Sequence, residues 1–313
     1  MVKKIVAFIL SSWIVVSIIN LSKKIILPGF QRLPLYDVAV FFIHGMKNGS
    51  IPMRASAVAF SFFLAMFPTI IFIFTLIPYI PIDNFQEQLL GLLEAFMPHN
   101  AYEAAKETIL DIVTNQRGGL LSVGFISALY FSTNGFNALI TAFNATHHDV
   151  GSRSPFQQRL ISILLVVIST ILMTVAISLI IGSQIALNFL FKEGQAAYYL
   201  ILLGRWIILF GLFYSLISFT YYLGPSRKSK WKFASAGSMV ATILSVVMSV
   251  GFAYYVNNFG NYNKLYGSIG TLIVVLLFIY FNSLVILLGF ELNASIHQAK
   301  RTQDGKQGAS YLQ

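Results

Sequence analysis

Cysteine is absent from this chain of 313 residues, and charged residues make up only 10% of it. The lack of cysteine excludes a disulfide framework, a thiol nucleophile and a cysteine metal site. Soluble domains carry roughly 25% charged residues, so the low charge argues against a soluble core. The chain also lacks the Gly-rich phosphate-binding patterns and the metal-binding His spacings. The sequence therefore predicts neither a metal nor a cofactor.

Long apolar runs are the main feature of the chain, in which 57% of residues are hydrophobic. About 20 apolar residues form a helix that crosses a hydrocarbon core about 30 Å thick. We therefore expect an all-α, polytopic transmembrane bundle with six spans. Pro68 lies inside the first span and predicts a kink there. The six spans are predicted at about residues 53–81, 119–146, 160–191, 198–223, 233–256 and 265–296.

Two segments outside these spans also have helical character. The apolar stretch 5–21 is flanked by pairs of lysines, which favours an interfacial helix, with a seventh span as the alternative. Residues 82–118 show helical spacing of apolar residues and predict an amphipathic hairpin outside the cytoplasm. The expected organisation is a cytoplasmic or interfacial segment at 1–50, a transmembrane domain at 51–297 and a cytoplasmic tail at 298–313.

Positive charge is distributed unevenly among the loops, and this asymmetry predicts the orientation. The loops after the second, fourth and sixth spans are rich in lysine and arginine, which places them and the C-terminus in the cytoplasm. The net charge of +10 follows from this bias and from contact with anionic headgroups, and it requires no nucleic acid. The basic residues of these loops are Arg153, Arg159, Arg227, Lys228, Lys230, Lys232, Lys300, Arg301 and Lys306.

Glu291 is an acidic residue near the end of the sixth span. A carboxylate inside a membrane costs about 2–3 kcal/mol even on mild insertion scales. Arg54 begins the first span at the same expected depth, so we predict that the two residues pair. The pair could act as a structural clamp or as a proton- or substrate-linked switch, and Glu291 could instead reach the headgroups alone. Gly289 allows another helix to approach closely.

The second span carries a polar stripe. Asn134, Asn137 and Thr141 are spaced i, i+3, i+7 and share one helix face, and Asn144 adds a further amide near the end of the span. Gly135 forms a small notch beside them. A stripe of this kind faces protein or water rather than lipid. It predicts either hydrogen bonds between helices or the lining of a central cavity.

Several segments resemble one known family. The chain is similar to the YihY/virulence factor BrkB family of bacterial inner-membrane proteins over about residues 37–297. The resemblance implies six transmembrane helices, cytoplasmic termini and no established reaction. Where the family usually has a Trp in the sixth helix and Gly-Ala-Glu near its end, this chain has Phe278 and Gly-Phe-Glu. The resemblance is carried by RASAVAFSFFLAMFPTIIF (54–72), GGLLSVGFISALYFSTNGFNALITAFN (118–144), SRSPFQQRL (152–160), YYLGPSRKSKWKFASAGS (221–238) and YGSIGTLIVVLLFIYFNSLVILLGFELNA (266–294).

The resemblance does not imply an established reaction. The family was long labelled ribonuclease BN, but metal-dependent cleavage of a phosphodiester needs a cluster of His and carboxylate ligands, and the sequence shows no compact cluster. We therefore reject ribonuclease activity and assign no catalytic residue. Transport or lipid and envelope handling is the favoured function, with membrane lipids and a lipid or small-molecule substrate as partners. A scaffold for envelope proteins and a lipid-modifying enzyme are the alternatives.

Overall fold

The computed structural model describes residues 20–26, 29–31, 33–48, 50–79, 99–145, 153–190, 196–226, 233–259 and 268–310. Within these ranges the chain forms α-helices and no strand, which confirms the predicted all-α class. The helices are α1 Leu35–Asn48, α2 Ile51–Leu76, α3 His99–Thr114, α4 Gly118–Asn144, α5 Pro155–Leu190, α6 Ala196–Leu223, α7 Ala236–Phe259 and α8 Ser268–Ser310.

Five of these helices, α2, α5, α6, α7 and α8, are long and apolar enough to cross a membrane. With 27 residues, α4 is also long enough, at about 1.5 Å per residue, but its polar stripe makes it less apolar. The sixth span therefore stays a prediction. Pro68 lies inside α2, whose helix continues past it to Leu76.

Two predicted segments lie wholly or partly outside the described residues. The interfacial helix at 5–21 falls almost entirely outside them, and so does the first half of the hairpin, up to residue 98. The second half of the hairpin is α3, which packs against α2 and the 3-10 turn Ile77–Tyr79 that follows it. The segment predicted as a tail begins as a continuation of α8, which extends to Ser310.

The six long helices are arranged as a ring. Going around it, α2 contacts α4, α4 contacts α5, α5 contacts α6, α6 contacts α7, α7 contacts α8, and α8 returns to α2. Contacts across the ring are few, and the main one joins α4 to α8. α1 lies outside the ring against the C-terminal part of α8. At 14 residues α1 is too short to cross a membrane, and it was not predicted from the sequence.

In α6, α7 and α8, burial is concentrated at one end of the ring. The buried side chains of α6 lie between Ile217 and Tyr221, and those of α7 between Gly237 and Ser245. In α8, apart from Gly270, they begin at Ser283. The helices therefore pack tightly at the end that holds Arg54 and Glu291, which we call the polar end, and α6, α7 and α8 are more exposed toward the opposite end, which we call the far end.

Candidate functional site

An ion pair joins the first and last helices of the ring at the polar end. Arg54 Nη2 on α2 lies 3.8 Å from Glu291 Oε2 on α8, and the two side chains are only 10% and 6% exposed. Arg54 Nη1 also donates a hydrogen bond to the carbonyl oxygen of Ala142 on α4, at 2.7 Å. The predicted pairing is therefore present, and it connects three helices. Its role as a clamp or a switch stays a prediction.

The Glu291 carboxylate is in contact with a glycine of the outer helix α1. A Cβ atom placed on Gly45 would lie 1.9 Å from Glu291 Oε1 and 2.8 Å from its Cδ. The absence of a side chain at Gly45 is therefore what allows α1 to lie over the carboxylate. Since Arg54 approaches from α2, one acidic group links α1, α2 and α8.

The polar stripe of α4 forms hydrogen bonds with the first turn of α5. Gln158 Nε2 donates to Asn137 Oδ1 at 2.7 Å and to Thr141 Oγ1 at 3.1 Å. Arg159 donates to Asn134 Oδ1 and lies with its guanidinium 4.9 Å from the ring centre of Tyr130. Of the two predicted roles for the stripe, the structure shows the first, hydrogen bonding between helices.

Two further polar residues hold the end of α6. Asn144 Nδ2 donates to Ser226 Oγ at 2.8 Å, and its Oδ1 accepts from the Ser226 backbone N–H at 2.9 Å. Arg153 Nη1 donates to the carbonyl oxygens of Leu223 and Gly224 at 3.0 Å each. A cation at the C-terminus of a helix stabilises its exposed carbonyl groups. Burial lowers the pKa of the Arg153 guanidinium from its ordinary value.

Asn293 fastens the start of α7 to α8. Its Oδ1 accepts from the backbone N–H of Gly237 at 2.8 Å, and its Nδ2 donates to Ser235 Oγ at 2.7 Å. An amide that caps the first turn of a helix satisfies a backbone donor that has no partner within that helix. Asn293 is two residues after Glu291, so it lies on a different face of α8 and contacts α7 instead of α2.

Two predicted glycine positions are places of close helix approach. A Cβ on Gly289 would lie 2.6 Å from both Ala241 Cβ and Tyr221 Oη, and 2.7 Å from the carbonyl oxygen of Gly237. A Cβ on Gly135 would lie 2.8 Å from the ring of Phe62. Both glycines therefore serve packing between helices.

Three aromatic side chains fill the middle of the ring at the polar end. Phe143 of α4 stacks on Phe290 of α8, with ring centres 4.1 Å apart and planes at 14°. Tyr221 of α6 meets both rings edge-on, with centres 5.6 Å away in each case. The three residues, which we call the aromatic plug, come from alternate helices of the ring. They lie within the main buried cluster and close the centre of the bundle at this level.

A comparison with protein families decides the identity. A sequence model of the family described as virulence factor BrkB matches residues 42–311, which is most of the chain. The chain belongs to this family. The match includes every long helix of the ring and both members of the Arg54–Glu291 pair, so the site described above lies within the family's shared region.

Curated relatives agree with membership of the BrkB family. The ribonuclease-like protein YfkH of Bacillus subtilis is 32% identical over 254 residues, covering 80% of this chain and 92% of YfkH. A UPF0761 membrane protein of Haemophilus influenzae is 24% identical over 269 residues, covering 85% of this chain and 97% of the relative. No solved structure matches the chain. The chain is therefore a multi-pass membrane protein of the BrkB family without a defined reaction.

In this BrkB-family chain, the partners of the polar stripe were not predicted from the sequence. Arg153 and Arg159 served in the sequence only as indicators of orientation, although each side chain makes specific hydrogen bonds at the polar end. The sequence did indicate these contacts, because Gln158 and Arg159 are polar residues at the start of the apolar helix α5, and the preceding helix α4 carries the polar stripe. Gly45 and the aromatic plug carry no comparable signal, since their role depends on how the helices meet.

We expect Gly45→Ala to lower the free energy of unfolding by about 1–2 kcal/mol, because the new methyl group displaces the Glu291 carboxylate from Arg54. The same change should cost little in a Glu291→Ala background, where the displaced group is missing. Denaturant unfolding in detergent measures both effects. Gly204→Ala is the control, because a Cβ there meets nothing within 4 Å. Equal losses in the two backgrounds would show that Gly45 does not act through Glu291.

Proposed function

We propose that the protein transports or handles a lipid or another amphipathic molecule of the cell envelope. The observation that carries this proposal is the ring of six helices, in which α6, α7 and α8 bury side chains mainly near the polar end. A bundle that existed only to fill its own core would bury side chains along the whole length of its helices. In this ring, the exposed far-end parts of α6, α7 and α8 are available to lipid or to another bound molecule.

The ring is closed at the polar end by the aromatic plug and the Arg54–Glu291 pair, which together we call the floor. The aromatic plug fills the centre of the ring, and the Arg54–Glu291 pair lies at the same end. A transporter needs a barrier of this kind at one end while its other end is accessible. The floor supports a role in which the accessible end is the far end and the polar end is the barrier.

Two buried hydroxyl groups lie next to the floor. Ser218 is one turn from Tyr221 on α6, and Ser245 is one turn from Ala241 on α7. Both serines are fully buried, and their Oγ atoms have no hydrogen-bond partner among the described residues. Leaving a buried hydroxyl unsatisfied costs about 1–3 kcal/mol, so water or a polar group of a bound molecule is a natural partner.

The ion pair supports a switching role in this proposal. Ionisable residues inside membrane spans are costly and are concentrated where proteins move substrates or protons. Arg54 and Glu291 join α2 to α8, two neighbours in the ring, and Gly45 brings α1 to the same carboxylate. Loss of this contact would loosen the floor on the side where α8 meets α2.

The experiment is native mass spectrometry of the purified protein, followed by reconstitution in vesicles with the lipid that it retains. We expect a bound lipid, and we expect labelled copies of that lipid to cross between leaflets faster than in protein-free vesicles. The double variant Arg54→Gln, Glu291→Gln should change the rate, because it removes the charges from the floor without leaving one unpaired. The control is Arg117→Gln, an exposed residue outside the ring helices.

The absence of both a retained lipid and any lipid movement would contradict the proposal. A stoichiometric protein partner in a pulldown, together with that absence, would favour the scaffold alternative.

A further inference from the structure

The polar stripe of α4 faces away from the centre of the ring. Phe143 of the aromatic plug marks the face of α4 that points to the centre. At about 100° per residue, Asn134 lies about 180° from Phe143 around the helix axis. By the same measure, Thr141 lies about 160° and Asn137 about 120° from it. Thr141 is exposed and Tyr130, one turn before Asn134, is 56% exposed, so the stripe lies at the outer surface of the ring, which faces lipid in a membrane.

The hydrogen bonds of the stripe have a fixed direction. Thr141 Oγ1 donates its only hydrogen to the carbonyl oxygen of Asn137 at 2.9 Å, so it can only accept from Gln158. Gln158 therefore turns its NH₂ group toward the stripe and uses both hydrogens, on Thr141 Oγ1 and Asn137 Oδ1. Arg159 can only donate, so Asn134 turns its oxygen toward it. Both asparagines accept through Oδ1, and their NH₂ groups have no acceptor among the described residues.

The stripe and the start of α5 together present an excess of hydrogen-bond donors. Asn134 and Asn137 are neighbours on one helix face, so their NH₂ groups lie on the same stretch of surface as the remaining N–H groups of Arg159. The ring of Tyr130, whose centre is 4.9 Å from the guanidinium, holds Arg159 in place at the α4–α5 boundary. A group with several negatively charged acceptor oxygens, such as a phosphate, matches this set of donors.

The Arg159 side chain extends away from the polar end. Gln158 contacts Asn137 on α4. Arg159, the next residue, contacts Asn134 and Tyr130, which lie about 5 and 10 Å farther from the polar end along α4. An arginine that only reached for the headgroups at the polar end would extend the other way. A phosphate that binds to this guanidinium is therefore drawn inward from the headgroup level of that leaflet.

We propose that Arg159, Asn134 and Asn137 form a binding site for the phosphate group of an anionic phospholipid on the outer surface of the ring, between α4 and α5. Charged and polar side chains of membrane helices rarely face lipid, so a stripe that does so marks a functional surface. The lipid's acyl chains lie along the exposed apolar surface of these two helices, which includes Ile126 and Leu160. The site does not rest on the proposed function, because it would hold a lipid even if the protein moved none.

The test is native mass spectrometry of the full chain in detergent, with dioleoyl phosphatidylglycerol, dioleoyl phosphatidylcholine and inorganic phosphate as probes. We expect the protein to retain one phosphatidylglycerol molecule in preference to phosphatidylcholine with the same chains, because the choline cation is repelled by Arg159. Arg159→Gln should weaken this retention about tenfold, the effect of losing one charge-assisted contact. Asn134→Asp is a second variant, in case Arg159→Gln fails to fold. It supplies Arg159 with a carboxylate in place of the phosphate, so retention should fall as much while the thermal unfolding midpoint does not.

A purely structural role for Arg159 predicts the opposite result for Asn134→Asp, namely unchanged retention, and that result would overturn the site.

Two further variants separate the site from its surroundings. Arg301→Gln is the matched control, since it removes an exposed arginine of α8 beyond the polar end, and it should leave retention unchanged. Asp149, in the connection 146–152 outside the described residues, is the acid nearest to Arg159 in the sequence, and Asp149→Asn should also leave retention unchanged. A rise in retention with Asp149→Asn would show that this carboxylate fills the site, and would overturn the proposal.

Equal retention of the two lipids, or an equal loss with Arg301→Gln, would show bulk lipid contact and overturn the site. Displacement of phosphatidylglycerol by an equal concentration of inorganic phosphate would overturn the lipid assignment in favour of free phosphate.

Discussion

Replacing Glu291 with Gln should lower the free energy of unfolding by about 2–3 kcal/mol, because the change leaves the largely buried Arg54 guanidinium without its countercharge. Arg54→Gln should cost more, since it also removes the hydrogen bond to the Ala142 carbonyl oxygen. The double variant should lose less than the sum of the two single losses, by about 1–2 kcal/mol. Chemical unfolding of the four proteins in one detergent measures this coupling.

The exposed pair Arg117–Asp111 is a control, because its atoms are closer together than those of the buried pair although its side chains are far more exposed. Its Nη2–Oδ1 distance is 2.7 Å, shorter than the 3.8 Å of the buried pair, but its side chains are 51% and 44% exposed. Exposed pairs contribute about 0–1 kcal/mol, so the same cycle should show a coupling of at most a few tenths of a kcal/mol. Additive losses at Arg54 and Glu291 would contradict the clamp and the switch alike, and Glu291 would then be a residue that reaches the headgroups alone.

Gly289→Ala should also destabilise the protein strongly, by about 1–3 kcal/mol. The added methyl group would overlap Ala241, the Tyr221 hydroxyl and the backbone oxygen of Gly237. The backbone oxygen cannot move aside without shifting α7 from α8. Thermal unfolding and the yield of folded protein in detergent measure the effect.

Gly251→Ala is the matched control for this prediction. Gly251 lies in α7, one of the two helices that meet at Gly289, and a Cβ there meets nothing within 4 Å. Alanine favours a helix over glycine by about 0.5–1 kcal/mol, so this change should be neutral or stabilising. A loss at Gly251 equal to that at Gly289 would mean that helix packing at Gly289 is not the cause.

The sequence predicts much of the fold because membrane helices are recognised by length and apolarity alone. It also predicts the Arg54–Glu291 pairing, since two opposite charges at the same depth have few other partners in a membrane. The shared face of Asn134, Asn137 and Thr141 follows from helical spacing, and all three contact the first turn of α5.

What the sequence does not predict is which helices are neighbours. The spacing of two residues shows that Asn293 and Glu291 lie on different faces of α8. Only the order of the helices around the ring reveals that Asn293 contacts Gly237 of α7. The same holds for Gly45, whose contact depends on where α1 lies outside the ring. The stacking of Phe290 on Phe143 likewise requires α4 and α8 to meet across the centre.

The aromatic plug has an electrical consequence. Where water fills the ring from the far end, the potential of that compartment extends inward to the plug, and the transmembrane voltage falls across this thin layer instead of the full ~30 Å of hydrocarbon. An elementary charge that crosses the whole voltage changes in energy by about 2.3 kcal/mol per 100 mV. Phe290 adjoins Glu291 in the chain, so in that state the ion pair would lie at the level of this concentrated field. The resting potential of the cell would then act directly on the contact between α2 and α8.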